Sequence, residues 1–225
     1  HNLYKVGLEL PDAVQVLADI RDASSVGRWF AKERPEIVFH AAALKQVPMV
    51  EAFASEGILT NVVGLQNIAE AAHGVGADLI FVSTDKAVDP SGLMGASKRL
   101  GEIYCQALDR EGAYRAIPVR LGNVLGSAGS VTPIFEEQLA EGGPLTVTDP
   151  DVTRFFMTIG EAVQLVLQAG AIGSSGDVLI LDMGEPVRIM DVARQLMEIA
   201  DKRVDIVITG LRPGEKLHEV LQGQG

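Results

Sequence analysis

The strongest constraint on this chain is the way short apolar runs alternate with longer amphipathic stretches through its first half. Residues 14–18, 36–40, 78–83 and 116–121 read as strands. Between them, residues 22–34, 55–73 and 93–110 carry helical periodicity. Asp22 is placed to cap the first of these helices and Pro35 to stop it, while Gly74 and Gly76 end the second. Strands separated by helices of this length pair in parallel, and right-handed crossovers then wind helices onto both faces of one sheet. The expected fold is therefore α/β, a Rossmann-like doubly wound parallel sheet.

The second half has a finer grain. Helices are expected at 131–141, 160–171 and 190–200, with short strands at 145–148, 154–157, 177–181 and 205–208. This pattern implies a small C-terminal α/β substrate lobe over the mouth of the sheet. The expected division is residues 1–122 for a partial dinucleotide-binding domain and 123–225 for the lobe.

Charge narrows the partners. Thirty acidic against 19 basic residues give a formal net charge of -11. Such a chain has no general attraction to nucleic acid or to an anionic membrane surface. An anionic ligand must instead be held by a few local Arg and Lys side chains. Cys105 is the single cysteine, which excludes an intrachain disulfide and fits a reducing, cytoplasmic compartment. No apolar run reaches the roughly 20 residues of a membrane span.

Polar residues just past a buried parallel strand face the ligand crevice of an open α/β sheet. Thr84, Asp85 and Lys86 hold that place after the strand at 78–83. On their own they fit a solvated strand-end turn as well as a catalytic one. Met94 and Lys98 lie four residues apart at a helix start and so share one face. Alone, they read equally as a core methionine and a surface lysine.

Six ordered segments change that balance: residues 39–48, 83–88, 94–98, 120–127, 153–158 and 211–217. Together they resemble the extended short-chain dehydrogenase/reductases, and more narrowly the bacterial polysaccharide-biosynthesis UDP-N-acetylglucosamine 4,6-dehydratases. Most of that superfamily carries Tyr-x3-Lys where this chain has Met94 and Lys98, and Met94 is similar to the configuration-retaining branch.

The resemblance implies NAD as cofactor and a UDP-sugar as substrate. It implies that Asp85 is a general acid, Lys86 a base, and Thr84 a hydrogen-bonding partner near O4 of the sugar. Asp19 and the backbone of Ile20 would meet adenine, although Asp19 also reads as a helix cap. His40, Ala41, Ala42 and Lys45 would line the dinucleotide, and Lys98 would hold its ribose. Asn123, Arg154, Arg212 and Glu215 would hold the nucleotide diphosphate and uridine, although Arg212 and Glu215 also read as an exposed ion pair. The group that takes the O4 proton in the absence of Tyr stays open between Asp85 and Thr84 acting through water.

The superfamily opens with a strand and a glycine-rich loop at a helix N-terminus, which grips the cofactor pyrophosphate. No such motif precedes Asn2, and the stretch from Asn2 reads as the helix after the second strand. The chain thus reads as a fragment, inactive alone, with a gap in its sheet between 14–18 and 36–40. A homo-oligomer is expected through the helices at 55–73 and 93–110, and membrane attachment only through a region outside this chain. The rival functions are a nucleotide-sugar 4-epimerase and a non-catalytic nucleotide-binding scaffold.

Overall fold

The computed structural model describes residues 2–110, 115–174 and 176–223. Four parallel strands form the main sheet in the order β1 (Ile37–His40), β2 (Asp78–Thr84), β3 (Ala116–Leu121) and β8 (Leu179–Ile180). Alternate side chains of the central strands go to opposite faces. Leu79, Phe81 and Ala116 pack with Leu65, Ile68 and Cys105 from α5 (Gly64–Val75) and α6 (Leu93–Arg110). Ile80, Ile117 and Val119 pack instead with Ala162 and Ala169 of α8 (Ile159–Ile172). Helices therefore cover both faces, which is why β2 and β3 are nearly continuous apolar runs. Although α8 and β8 follow position 123, they complete this sheet.

Local signals explain the helix ends. Asp22 caps α2 (Ala23–Glu33), its Oδ1 accepting from the Ser25 N–H at 3.0 Å. Thr158 and Glu161 form a reciprocal capping box at the start of α8. Gly76, in the left-handed region at φ 74°, closes α5.

A third cluster makes the lobe. Phe135 and Leu139 of α7 (Val131–Glu141) meet Ile189 and Ala193 of α9 (Ile189–Ile199) over β5 (Leu145–Val147). That strand pairs in parallel with β10 (Ile206–Ile208). Two smaller pairs tie the lobe to the sheet mouth. β4 (Asn123–Val124) runs parallel to β7 (Phe156–Met157), and β6 (Thr153–Arg154) runs antiparallel to β9 (Val187–Arg188).

Three sequence expectations are corrected. Residues 14–18 form no strand: Val14 and Leu17 are 64% and 92% exposed and no backbone ladder reaches them. Among the described residues β1 has no partner on its outer side, so the segment lacks a template to pair with. The helix at 55–73 is interrupted by a π-helical turn at Leu59–Val63. The strand at 154–157 is two strands, β6 and β7, with Phe155 turned into the core between them. No helix among the described residues is long and apolar enough to cross a membrane.

Candidate active site

β2 carries its chain to the mouth of the sheet, and the three residues after it turn in a single 3-10 turn, Asp85–Ala87. Thr84 Oγ1 donates to Asp85 Oδ1 at 2.9 Å, and Lys86 Nζ donates to the same oxygen at 2.9 Å. Lys86 Nζ also donates to Asn123 Oδ1 at 3.0 Å, bridging to β4. Asp85 is fully buried, and its Oδ2 has no hydrogen-bond partner. An unpaired buried acceptor of this kind costs about 1–3 kcal/mol unless a proton or ligand satisfies it.

The start of α6 packs hard against this turn. A Cβ on Gly95 would lie 2.2 Å from the Lys86 carbonyl oxygen, so only glycine permits the approach. The packing buries Met94 beside the site and aims Lys98 back under β2. Lys98 Nζ donates to the Val82 carbonyl at 2.8 Å and lies 4.6 Å from the centre of the Phe81 ring. Burial takes the Lys98 ammonium down to about 8. His40, stacked on Phe81 at 6.0 Å, is taken down to about 4 by burial and then by the Lys98 charge. Its Nε2 is also buried without a partner.

Two buried residues that the sequence reading did not single out hold these pieces in place. Asn61, inside the π-turn, exchanges hydrogen bonds with the Leu44 N–H and carbonyl at 2.8 and 2.9 Å and donates to Ser97 Oγ at 3.0 Å. It thereby fixes the loop after β1 to α6. The turn's wide backbone geometry gives the local signal, since π-turns recur at functional sites. Glu102 accepts from Ser83 Oγ at 2.7 Å, from Arg120 at 2.8 Å through both carboxylate oxygens, and from Arg99 at 2.9 Å. Burial pushes its carboxyl up, and the bonds from Arg120, Ser83 and Arg99 more than reverse that.

A cavity of about 380 Å³ opens above the turn. Thr84, Lys86, Met94, Lys98, Ala41, Lys45, Asn123, Arg154, Arg212 and Glu215 all line it, joining the expected catalytic, cofactor and substrate residues in one space. Asp85 and His40 lie behind its wall. Lys45, its charge weakened by burial, donates to Ser127 Oγ at 3.2 Å. Arg154 is buried, donating to Glu215 Oε1 at 3.0 Å and to the carbonyls of Thr153 and Leu217. The Arg212 N–H reaches Glu215 Oε2 at 3.3 Å, while its side chain is exposed. The ion pair of Glu215 is therefore with Arg154, not with Arg212.

Asp19, Ile20 and Ala42 border a second, open depression with Leu17, Ala18, Ala43 and Thr60. Asp19 is not a helix cap, since Asp22 fills that role. Its carboxylate accepts from the Arg21 side chain at 2.8–3.1 Å, and Arg21 also reaches Glu56 at 2.7 Å. Those bonds hold the Asp19 carboxyl below its ordinary value. Asn67 Nδ2 donates to the Ile20 carbonyl at 2.9 Å, which fixes the chain there.

These residues could hold the two ends of a dinucleotide, since the depression offers the Asp19 carboxylate beside the small Ala42 and Ala43, and the cavity offers Lys98.

The family model described as "Polysaccharide biosynthesis protein" matches residues 5–225. The capsular polysaccharide biosynthesis protein CapD of Staphylococcus aureus is 46% identical over 92% of this chain, which spans 36% of CapD. A UDP-glucose 4-epimerase of Rickettsia conorii is 39% identical over 96% of this chain, which spans 64% of that protein. Among solved structures, Pen from Bacillus thuringiensis superposes with a TM-score of 0.90 at 31% identity, covering 98% of this chain and 71% of Pen. DesIV from Streptomyces venezuelae, a dTDP-glucose 4,6-dehydratase with NAD and TYD bound, has a TM-score of 0.87 at 22% identity, covering 97% and 75% of the two chains.

Proposed function

The chain belongs to the polysaccharide biosynthesis protein family of extended short-chain dehydrogenase/reductases, and from that premise we propose that it carries the active site of a nucleotide-sugar 4,6-dehydratase. The observation that carries this reading is the Lys86–Asp85 pair at the end of β2, 2.9 Å apart and set beside Met94. A base and an acid joined by one hydrogen bond suit an elimination, in which one takes a proton from C5 as the other gives one to the departing O6. Residues 1–122 then serve the dinucleotide and 123–225 mainly the substrate. UDP-N-acetylglucosamine is the substrate we favour, giving a 4-keto-6-deoxy sugar for surface polysaccharide.

NAD supplies the acceptor for the hydride of C4 and its donor to C6, so the reaction is redox-neutral. Lys98 and Lys45 would hold it at the cavity, and Asp19 and Ile20 at the outer depression. Oxidation at C4 makes the C5 hydrogen acidic. Lys86, as the free amine, removes it, while Asp85, as the acid, protonates O6. Asn123 holds Lys86 in line, and a substrate diphosphate would draw on Arg154 and Arg212. The exposed apolar side chains Ile58, Leu59, Leu100 and Ile103 lie on the helical faces through which we expect the homo-oligomer to form. A nucleotide-sugar substrate made in the cytosol would place the site on the cytoplasmic side.

The test is to incubate the complete protein with UDP-N-acetylglucosamine in deuterated water. We expect the mass of the product to fall by one water and deuterium to appear at C5. The likeness to the Rickettsia conorii epimerase favours one other reading, a 4-epimerase. That reading gives an isomer of unchanged mass with no solvent hydrogen at C5, and such a product would sink the dehydratase assignment.

A further inference from the structure

The Asp85–Ala87 turn is braced from two sides, by Asn123 through Lys86 and by α6 at Gly95, and its exit is held from a third. Val88 follows the turn, is buried, and closes it by donating its N–H to the Asp85 carbonyl at 3.0 Å. The Val88 carbonyl in turn accepts from Lys216 Nζ at 2.6 Å. A little further on, Ser91 Oγ donates to the Gly214 carbonyl at 3.0 Å. The two backbones also touch there, since a Cβ on Gly92 would lie 2.8 Å from the Gly214 Cα. Gly214 has a φ of 77°, which favours glycine. Residues 88–92, which join the turn to α6, are thus clasped by Gly214 and Lys216.

The clasping segment also reaches the cavity. Arg212, Gly214 and Glu215 line it. Glu215 Oε1 accepts from Arg154 at 3.0 Å and from Thr148 Oγ1 at 3.3 Å. The side chain of the very next residue, Lys216, goes to the turn instead. Two adjacent residues therefore serve two places, one the cavity wall and the other the exit of the turn. The Lys216 side chain is 17% exposed, so its ammonium is partly desolvated, with Glu219 Oε2 at 3.5 Å as counter-charge. An apolar side chain of the same length would fill that space without a charge to desolvate. What the lysine adds is a directed bond from a charged donor to one chosen carbonyl.

We propose that Lys216 is a positioning residue that ties the nucleotide-binding segment to the Asp85–Lys86 turn. It acts through Val88 and touches no reacting atom. The role rests on the function proposed above, in that a nucleotide-sugar must be turned over at the Asp85–Lys86 pair. A nucleotide held by Arg212 and Glu215 fixes a segment that is itself bonded to the turn. Binding energy gathered far from the sugar is then expressed as rate. The gain is plausible in size, because a misplacement of about 1 Å at the reacting groups can cost on the order of 100-fold.

Four forms of the complete protein test the tie with UDP-N-acetylglucosamine: wild type, Arg212→Ala, Lys216→Met and the double variant. Methionine keeps the length of the stem and removes the donor. We expect Lys216→Met to lower kcat about tenfold, the worth of one charged hydrogen bond, with KM within about twofold of wild type. UDP alone, measured by calorimetry, should bind this variant as it binds wild type. Arg212→Ala should raise KM and lower kcat in the wild-type background. In the Lys216→Met background it should raise KM by the same factor and leave kcat unchanged, because the grip at Arg212 no longer reaches the turn. Losses of kcat that simply multiply mean that the two residues act independently, and overturn the proposal. A Lys216→Met protein that loses UDP affinity along with rate also overturns it, because Lys216 then shapes only the nucleotide site. Should that variant fail to fold, Ser91→Ala removes the other clasp and should show the same non-additivity with a loss of about threefold. Multiplying losses there are equally fatal to the tie. A wild-type protein that yields an isomer of unchanged mass removes the dehydration, and the same four forms judge the tie on that product. One that turns over no nucleotide-sugar removes both.

Discussion

The inner end of β2 and the outer edge of β1 belong to one sheet but are built in opposite ways. At the inner end, the side chains around Thr84–Lys86 are cross-braced from several directions. Asn123 reaches in from β4 and α6 presses in at Gly95, while the buried Glu102 carboxylate clamps Ser83 and Arg120 together. At the outer edge, Ile37 and Phe39 are 48% and 45% exposed, and residues 14–18 join no ladder. The difference bears on where the proposed chemistry would sit, because proton-transfer groups need fixed geometry, which the doubly covered centre provides and the edge does not. The edge offers side chains but no rigid frame among the described residues.

Removing the central brace tests this most severely. Glu102→Ala leaves the Arg120 guanidinium buried without its counter-ion, and breaking a buried pair on one side costs about 3–5 kcal/mol. We expect the unfolding free energy from a denaturant titration, read by far-UV circular dichroism, to fall by that amount. A change under about 1 kcal/mol, the usual range of exposed pairs, would mean the centre is no better braced than the edge.

The same contrast governs what the sequence made legible. β2, β3 and α6 were readable because burial on both faces leaves an unbroken apolar run or a clean helical stripe. Thr84–Lys86 follow such a run directly, which placed them at the mouth of the sheet, and the family resemblance made them a candidate site rather than a solvated turn. Residues 14–18 were misread because their Val-x-Val-Leu-Ala composition is that of a strand, while pairing depends on a neighbour that local sequence does not encode. The π-turn was invisible because apolar periodicity continues through it, and Asn61 gave no sign that it would tie the loop after β1 to α6. Arg154, read as a candidate substrate contact, lines the cavity. Its pairing with Glu215, 61 residues away, is a tertiary fact. Glu219, buried in the cavity wall, escaped notice because a lone carboxylate reads as solvated until its burial is seen.

A second test falls on the boundary between the two regions, at the last residue of β1. His40 is neutral in the folded protein to about pH 4, while in the unfolded chain it takes a proton near 6.5. The unfolded state therefore binds more protons across that window, and stability falls as pH drops from about 6.5 to 4. The displacement corresponds to roughly 3 kcal/mol. Urea unfolding of His40→Phe should lack this slope while keeping whatever the carboxylates contribute. An identical slope in the variant would show that water reaches His40 from the open edge, and would extend the loose region into the floor of the site.

The smallest effect on stability is expected at the edge itself. Asp19 and Arg21 are half-exposed and meet Glu56 at the surface, where water and salt screen the interaction. Asp19→Asn should leave the melting temperature unchanged within error, because the lost ion pair was solvated on both sides. Binding should respond differently if Asp19 faces an adenine. Dinucleotide affinity of the complete protein, measured by calorimetry, should weaken by about tenfold, the worth of one charge-assisted hydrogen bond to the base. An unchanged affinity would mean that Arg21 alone occupies the Asp19 carboxylate. The outer depression would then be only the place where residues 14–18 end, and every cofactor contact from this chain would lie at the braced centre.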